Sequence, residues 1–541
     1  MSEQVFDRTQ GPTEVRAAVQ QQVADNDVDP WEAIEEAEGP LAVGRMRLMG
    51  VYDDRQRNRF MLRIRIPGGQ INADQLDTVA GVIRDFGNGW EGHTEPDRFG
   101  EITTRQDIQV HWVEFTQLPE IWRRFDAVGM TTAQACGDSM RNPTACPADG
   151  ADPRGYLPVA PLIEEFRTFS KQEEKLTAFL PRKWKVVVTG CPTDCAVVKL
   201  HCLAFTPARA ADGTLGFNVH AGGGLSDSPR IADALDLFVR PDQVTDTVRA
   251  TLEVYRAFGD FDMKAVNRFR VLVHQLGPDK VTEEIRSRVA SETAGAGESL
   301  WTGEPEDHLG VHEDARGTHF VGLCIPMGRL TDDEWFEVAR LARAHGDGGV
   351  RMSQRQNLLL TGIRDVDALL AEDFVQTYKP EPDPFERAIV ACTSAPFCKF
   401  AIDDMKTNGR KLVAHLQETL PVAGRDRLDG LKLHMSGCKA SCAQVQAAHI
   451  GVRATMTKDE EAYQQALDIS LGGDLGASRL GAWVRLEEPV DEAYDSITEV
   501  LRAVCAGELS LDDLTPAGVG RYFEGNGNAN GHANGHANGH D

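Results

Sequence analysis

Lysine is the residue this chain most nearly lacks: 14 in 541 positions, the first at Lys171, beside 43 arginines. Bases are outnumbered overall, 57 Lys and Arg facing 83 Asp and Glu for a net charge of −26. Phosphate binding needs clustered positive charge, so this balance argues against nucleic acid and anionic membranes as partners. An acidic surface poor in lysine suits a salt-rich cytoplasm, where the Debye length falls to about 3 Å at 1 M, although an ordinary acidic enzyme has the same balance. Also missing is any uninterrupted apolar run near the ~20 residues of a membrane helix. Met1-Ser2-Glu3-Gln4 has none of the basic and apolar character of a secretion signal. Eleven cysteines without such a signal point to a reducing cytoplasm, where they bind metal or pack as small apolar groups. Gly222-Gly223-Gly224 lacks the G-x-G-x-x-G spacing, so no flavin or nicotinamide fingerprint is present.

What the chain does have is length, 541 residues at 41% hydrophobic, enough for two to four domains with sizeable cores. It also has an internal repeat. Ile64-Arg65-Ile66-Pro67-Gly68-Gly69-Gln70-Ile71 is echoed by Leu323-Cys324-Ile325-Pro326-Met327-Gly328-Arg329-Leu330, and Thr104-Arg105-Gln106 by Gln354-Arg355-Gln356. Gly190-Cys191 to Cys195 matches Gly437-Cys438 to Cys442, and Gly222-Gly223-Gly224-Leu225 matches Gly472-Gly473-Asp474-Leu475. One duplicated unit of roughly 200 residues predicts two halves about a pseudo-twofold axis, with a site between them. Within each half an alternating strand, Phe60 to Ile66, precedes an amphipathic helix, Ala73 to Phe86, and then a strand carrying the Arg-Gln pair.

Cys392 and Cys398, spaced C-x5-C, and Cys438 and Cys442, spaced C-x3-C, read as the ligands of one iron-sulfur cluster. Zinc is the other metal for such thiolates, but its structural sites favour C-x2-C to C-x4-C arms. The predicted strand Leu431 to Gly437 runs into a turn and a helix, on which Cys438 and Cys442 would share one face at i and i+4.

The quartet, the strand Thr103-Thr104-Arg105-Gln106, Gly137-Asp138-Ser139-Met140-Arg141-Asn142 and Leu180-Pro181-Arg182-Lys183-Trp184-Lys185 together resemble the sirohaem-dependent sulfite and nitrite reductases over roughly residues 45–520. The resemblance implies a duplicated α+β fold of two ferredoxin-like half-domains and two larger α/β cofactor-binding domains. Its segments are an arm at 1–50, a half-domain at 51–120, a sirohaem and anion domain at 125–290, a linker at 291–310, a half-domain at 311–378, a [4Fe-4S] and sirohaem domain at 384–520 and a disordered tail at 525–541. It further implies that Cys392, Cys398, Cys438 and Cys442 hold a [4Fe-4S] cluster, that Cys442 also ligates the sirohaem iron, and that Arg105, Arg141, Lys183 and Lys185 face the substrate. Gln106 and Arg355 are further expected sirohaem contacts. The reaction is then six-electron reduction of an oxyanion, with ferredoxin as donor since no flavin site is present. Lys185, often Asn in plant-type nitrite reductases, favours sulfite to sulfide, with nitrite to ammonia as the alternative. A metal-binding scaffold without turnover is the reading from another class.

The first half departs from the family pattern, because Cys136, Cys146, Cys191 and Cys195 fall at repeat positions roughly matching the quartet. They are either a second metal site or buried packing residues. Cys202, Cys324 and Cys505 read as packing residues, and Gly222-Gly223-Gly224 as a close backbone approach or a strand-ending turn.

Overall fold

The computed structural model describes residues 4–87, 98–263, 266–458 and 462–523, so the expected tail at 525–541 lies outside the described residues. Four sheets build a duplicated α+β fold. In the first repeat, strands Val51–Asp53, Phe60–Ile64, Ile108–Val113 and Phe99–Ile102 pair antiparallel in that order, and the fifth strand, Arg329–Thr331, comes from the second repeat. The second repeat mirrors this with Gly310–Glu313, His319–Leu323, Leu358–Ile363 and Gly349–Met352, its fifth strand being Gln70–Asn72 from the first. The exchanged strands pair antiparallel, Leu330 with Gly100 and Ile71 with Val350.

The repeated Ile-Pro-x-Gly motif is what sends each strand across. Gly69 and Gly328 both adopt positive φ, +69° and +71°. A Cβ on Gly69 would lie 2.5 Å from the Met352 carbonyl oxygen, and one on Gly328 2.8 Å from that of Ile102. Only glycine permits both the turn and the approach. Each crossing strand runs into a capped helix, Ala73–Phe86 behind the Asn72 and Gln75 capping box and Asp332–His345 behind that of Thr331 and Glu334. The two helices pack together, and one apolar core containing Leu76, Ile83, Trp335 and Leu341 spans both repeats. The half-domains therefore form one body.

The larger domains carry three parallel strands followed by two antiparallel ones. They are Thr144–Ala145, Val186–Val188, Leu203–Arg209, Leu215–Ala221 and Asp233–Val239 in one, and Ile389–Ala391, Leu433–Ser436, Ile450–Lys458, Tyr463–Leu471 and Ala482–Pro489 in the other. Gly222 and Gly472 end equivalent strands at φ +89° and +87°, and a Cβ on Gly223 would lie 2.2 Å from the Lys199 carbonyl oxygen. These glycines serve a strand-ending turn packed against its own domain.

Several expectations need correction. The Arg-Gln pair lies in the turn between Phe99–Ile102 and Ile108–Val113, with Gln106 at φ +60°. The cysteine segment 437–444 forms turns, not a helix, because Ser441 and Gln444 take left-handed conformations that break the helical path. The arm at 1–50 holds helices Pro12–Asp25, Trp31–Glu38 and Pro40–Leu48, whose Val15, Val19 and Trp31 join the core. The linker at 291–310 is tied down as well, Glu298–Ser299 pairing with Ala208 and Arg209.

Gln106, expected at sirohaem, has a structural task instead. Its Nε2 donates to the carbonyls of Ala145 at 3.0 Å and Met352 at 2.7 Å, and its Oε1 accepts from Ala145 N at 3.0 Å. Both amide hydrogens are thereby used, leaving none for a cofactor carboxylate. Gln356 does the reciprocal job, donating to Ile102 O at 2.9 Å and accepting from Ala391 N at 3.1 Å. Replacing Gln106 or Gln356 by Ala strands buried main-chain groups and should lower unfolding stability by about 1–3 kcal/mol in urea titration. An unchanged midpoint and slope for both variants would contradict the role given to them.

Candidate active site between the repeats

Cys392 directly follows the strand Ile389–Ala391, and Cys438 follows the adjacent parallel strand Leu433–Ser436 after Gly437, so both lie at neighbouring carboxyl ends. Ligands of open α/β sheets gather at that edge. Gly437 N donates to Cys392 Sγ at 3.2 Å. The loop between Cys392 and Cys398 is anchored through Phe397, which is fully buried in the first repeat and stacks on His111 at 4.2 Å. Cys442 bears electrostatically on Cys392, Cys398 and Cys438, so the four thiols share one neighbourhood. Burial pushes Cys398 up to about 11 and raises Cys392 and Cys438 too. A metal would reverse that by stabilising the thiolates.

The first repeat meets this edge directly, Thr104 Oγ1 donating to the Cys442 carbonyl at 2.9 Å. Around that contact stand the four expected cations. Arg105 reaches His201 Nε2 at 3.1 Å and the Asn142 carbonyl at 2.5 Å. Arg141 donates to the Gly137 and Ala135 carbonyls at 2.9 and 3.1 Å. Lys183 senses Arg141 and Cys442, and Lys185 senses Arg105 and Lys183. Burial, then like charges, hold Lys183 down at about 7 and Lys185 well below its usual range, and burial brings Arg105 to about 10. Asp107, itself pushed up to about 6 by burial, is the acidic group nearest in influence to Arg105.

Three contributors had no signal in the sequence reading. His201 is buried and held neutral, its Nδ1 hydrogen-bonded to the Val197 carbonyl at 2.9 Å, so Nε2 can accept from Arg105. Arg268 adds a further like charge to Lys183 and Lys185. Arg63, bonded to Gln109 Oε1 at 2.7 Å, adds another beside Arg141. Arg355, the other expected sirohaem contact, lies in the equivalent place of the opposite repeat, bonded to the Arg387 carbonyl at 3.1 Å. It does not join this cluster.

Sequence models of two domains match the chain: Nitrite/Sulfite reductase ferredoxin-like half domain at 52–128 and 311–372, and Nitrite and sulphite reductase 4Fe-4S domain at 136–292. The assimilatory ferredoxin-dependent nitrite reductase of Haloferax mediterranei is 35% identical over 508 residues, 88% of this chain and 85% of that one. The ferredoxin--nitrite reductase of Synechococcus elongatus is 33% identical over 82% of this chain and 86% of its own. The chain belongs to the nitrite/sulfite reductase family. The NirA protein of Mycobacterium tuberculosis superposes with a TM-score of 0.79 at 25% identity, over 92% of this chain and 97% of that one.

As a member of this family the chain is an oxidoreductase, and its cofactors are a sirohaem and a [4Fe-4S] cluster. The residues present fit such a pair. Sirohaem is a polycarboxylate, and buried guanidinium atoms with no hydrogen-bond partner, Arg105 Nε, Arg268 Nε and Arg270 Nη1, lie among these cations.

The depressed Lys183 makes a pH prediction. Folding disfavours its ammonium, so the penalty is full below about 7 and fades as pH rises toward the unfolded value of 10.5. Lys183→Met should therefore raise the Tm of cofactor-free protein most at pH 6 and progressively less toward pH 10. A Tm difference independent of pH would overturn that account.

Proposed function

We propose that this enzyme reduces nitrite to ammonia with ferredoxin as electron donor. The observation that carries the reading is the cluster of Arg105, Arg141, Lys183 and Lys185 beside Cys442, none with a carboxylate ion pair among the described residues. Such a set is complete only with an anion bound. The names of the Haloferax and Synechococcus relatives favour nitrite over the sulfite expected from Lys185. Sulfite keeps one argument, since a doubly charged anion gains more than nitrite from a cation that contributes about 4 kcal/mol gross at 4 Å and effective dielectric of about 20.

In this reading Cys392, Cys398, Cys438 and Cys442 hold the cluster, and Cys442 also holds the sirohaem. When bound, these groups would relay the electrons of the donor to the substrate. Arg105, its guanidinium fixed by neutral His201, orients the oxygens of the anion in a fork that lysine cannot offer. Arg141, fixed by two carbonyls, balances charge. Both oxygens of nitrite leave as water, so protons must be delivered at the pocket. Lys183 Nζ, poised near neutral pH, is suited to donate them. The acidic, lysine-poor composition suits high salt.

Steady-state turnover in molar salt, with a reduced viologen and product analysis, tests the choice. The reading predicts a kcat/KM for nitrite at least tenfold above that for sulfite, and the reverse order would assign the enzyme to sulfite. Lys183→Gln should lower kcat on the order of 10²-fold or more and remove the pH-rate limb near neutrality. Unchanged kcat and pH profile would remove Lys183 from the proton path.

A further inference from the structure

Cys146, Cys191, Cys195 and His308 have no part in the proposed reaction, yet they converge. All four are buried, and their ligand atoms lie within 4.8 Å of one another. Cys146 Sγ and His308 Nε2 are 3.3 Å apart. Cys136 stands away from this group, its thiol directed to the Gly50 carbonyl at 3.9 Å, so the first-half quartet read from sequence is replaced by three of its cysteines and a histidine.

The repeat explains the placement. Cys146 follows strand Thr144–Ala145 as Cys392 follows Ile389–Ala391, an offset of 246, while Cys191 and Cys195 precede Cys438 and Cys442 by 247. By the same offset of 246 the mate of Cys398 is Asp152, so the fourth thiolate is missing. His308, from the segment joining the repeats, fills the gap. Its Nδ1 lies 3.8 Å from Asp152 Oδ2, beyond hydrogen-bond reach, and the Asp152 carboxylate is itself held by Arg154. The strap bearing it is laced to the cysteine turn, Asp194 N donating to Glu304 O at 2.6 Å and Thr302 N to Pro192 O at 2.7 Å. His308 sits at φ +57°, a conformation rare for so bulky a residue and maintained only where surroundings compel it.

We propose that Cys146, Cys191, Cys195 and His308 bind one structural zinc ion at the pseudo-twofold mate of the [4Fe-4S] position. The comparison with that position rests on the cluster assignment above, but the four ligands stand on their own geometry. Zinc takes Cys3His sets tetrahedrally with Zn–S of about 2.3 Å and Zn–N of about 2.0 Å, which puts ligand atoms roughly 3.5–3.8 Å apart and within the observed span. A cubane, with its irons at separate corners, needs its thiolates farther apart. A cavity of about 170 Å³, lined in part by Cys146, Asp149, Asp152 and Cys191, adjoins the group.

The neighbouring charges agree with a closed, non-catalytic site. Arg355 and Lys432 are the mates of Arg105 and Lys185, at offsets of 250 and 247. Asp307, beside His308, occupies that place, pairing with Arg387 at 2.8 Å and acting on Arg355. The strap thus supplies an internal anion where the opposite centre awaits an external one.

Elemental analysis of holoenzyme grown with zinc decides the matter. The proposal predicts about one zinc and about five irons per chain, the irons being one from sirohaem and four from the cluster. Cys191→Ser and His308→Ala should lose the zinc and keep both the irons and the sirohaem absorption. Should these variants not fold, zinc K-edge X-ray absorption of the unmodified holoenzyme serves, with about three sulfur neighbours at about 2.3 Å and one nitrogen at about 2.0 Å expected, and a shell of nitrogen and oxygen alone overturning the proposal. About nine irons without zinc, or five irons without zinc, would overturn the proposal. Cys398→Ser separates it from the cluster assignment: loss of four irons with zinc kept upholds both, and iron retained sinks only the assignment of Cys398.

Discussion

The reciprocal exchange of strands Gln70–Asn72 and Arg329–Thr331 is the constraint on which the rest of the structure depends. Each repeat completes its partner's sheet, so neither has a closed core alone. Exchange also fixes the relation of the larger domains, because Gln106 and Gln356 fasten the turns beside the crossing strands to the opposite repeat. The turn that places Thr104 against Cys442 and carries Arg105 is the turn that holds Gln106. Assembly of the candidate site and closure of the core are therefore one event.

Duplication provides two such centres, and the chain treats them differently. At one, cations from the first repeat meet cysteines of the second and stay without carboxylate partners among the described residues. At the other, the connecting strap inserts Asp307 against Arg387 and brings His308 to the cysteines of the first repeat. Burying unpaired positive charge destabilises a protein unless a ligand arrives, so keeping a single open centre limits that cost to the place where, in the proposed function, a substrate anion and an acidic cofactor would offset it.

Much of this was legible in sequence, for reasons particular to each element. The Ala73–Phe86 helix follows from its apolar period, and the duplication from the paired Ile-Pro-x-Gly and Cys-x3-Cys motifs. The strand exchange was not legible, since a three-residue strand carries too little pattern to say which sheet it joins. Nor were the turns at Cys438 to Gln444, where side-chain bonds from Ser441 to Val445 N and Gln446 hold left-handed backbone against helical spacing. Gln106 looked like a cofactor ligand because sirohaem is rich in carboxylates and the residue lies near a repeat strand, whereas its amide bonds the main chain. His308 escaped notice because only the folded strap brings it to cysteines more than a hundred residues away. The preference for sulfite leaned on Lys185 alone, and one cation does not identify an anion when several others share the pocket.

The central claim is that the exchanged strands make the two repeats one cooperative body. Native-state hydrogen exchange of the intact enzyme tests it most directly, comparing peptides over Gln70–Asn72 and Arg329–Thr331 with the core strands Ile108–Val113 and Leu358–Ile363. Equal opening free energies, shifted together by denaturant, are the predicted result. Exchange of the crossing strands at much lower free energy, with the core strands still protected, would contradict the account.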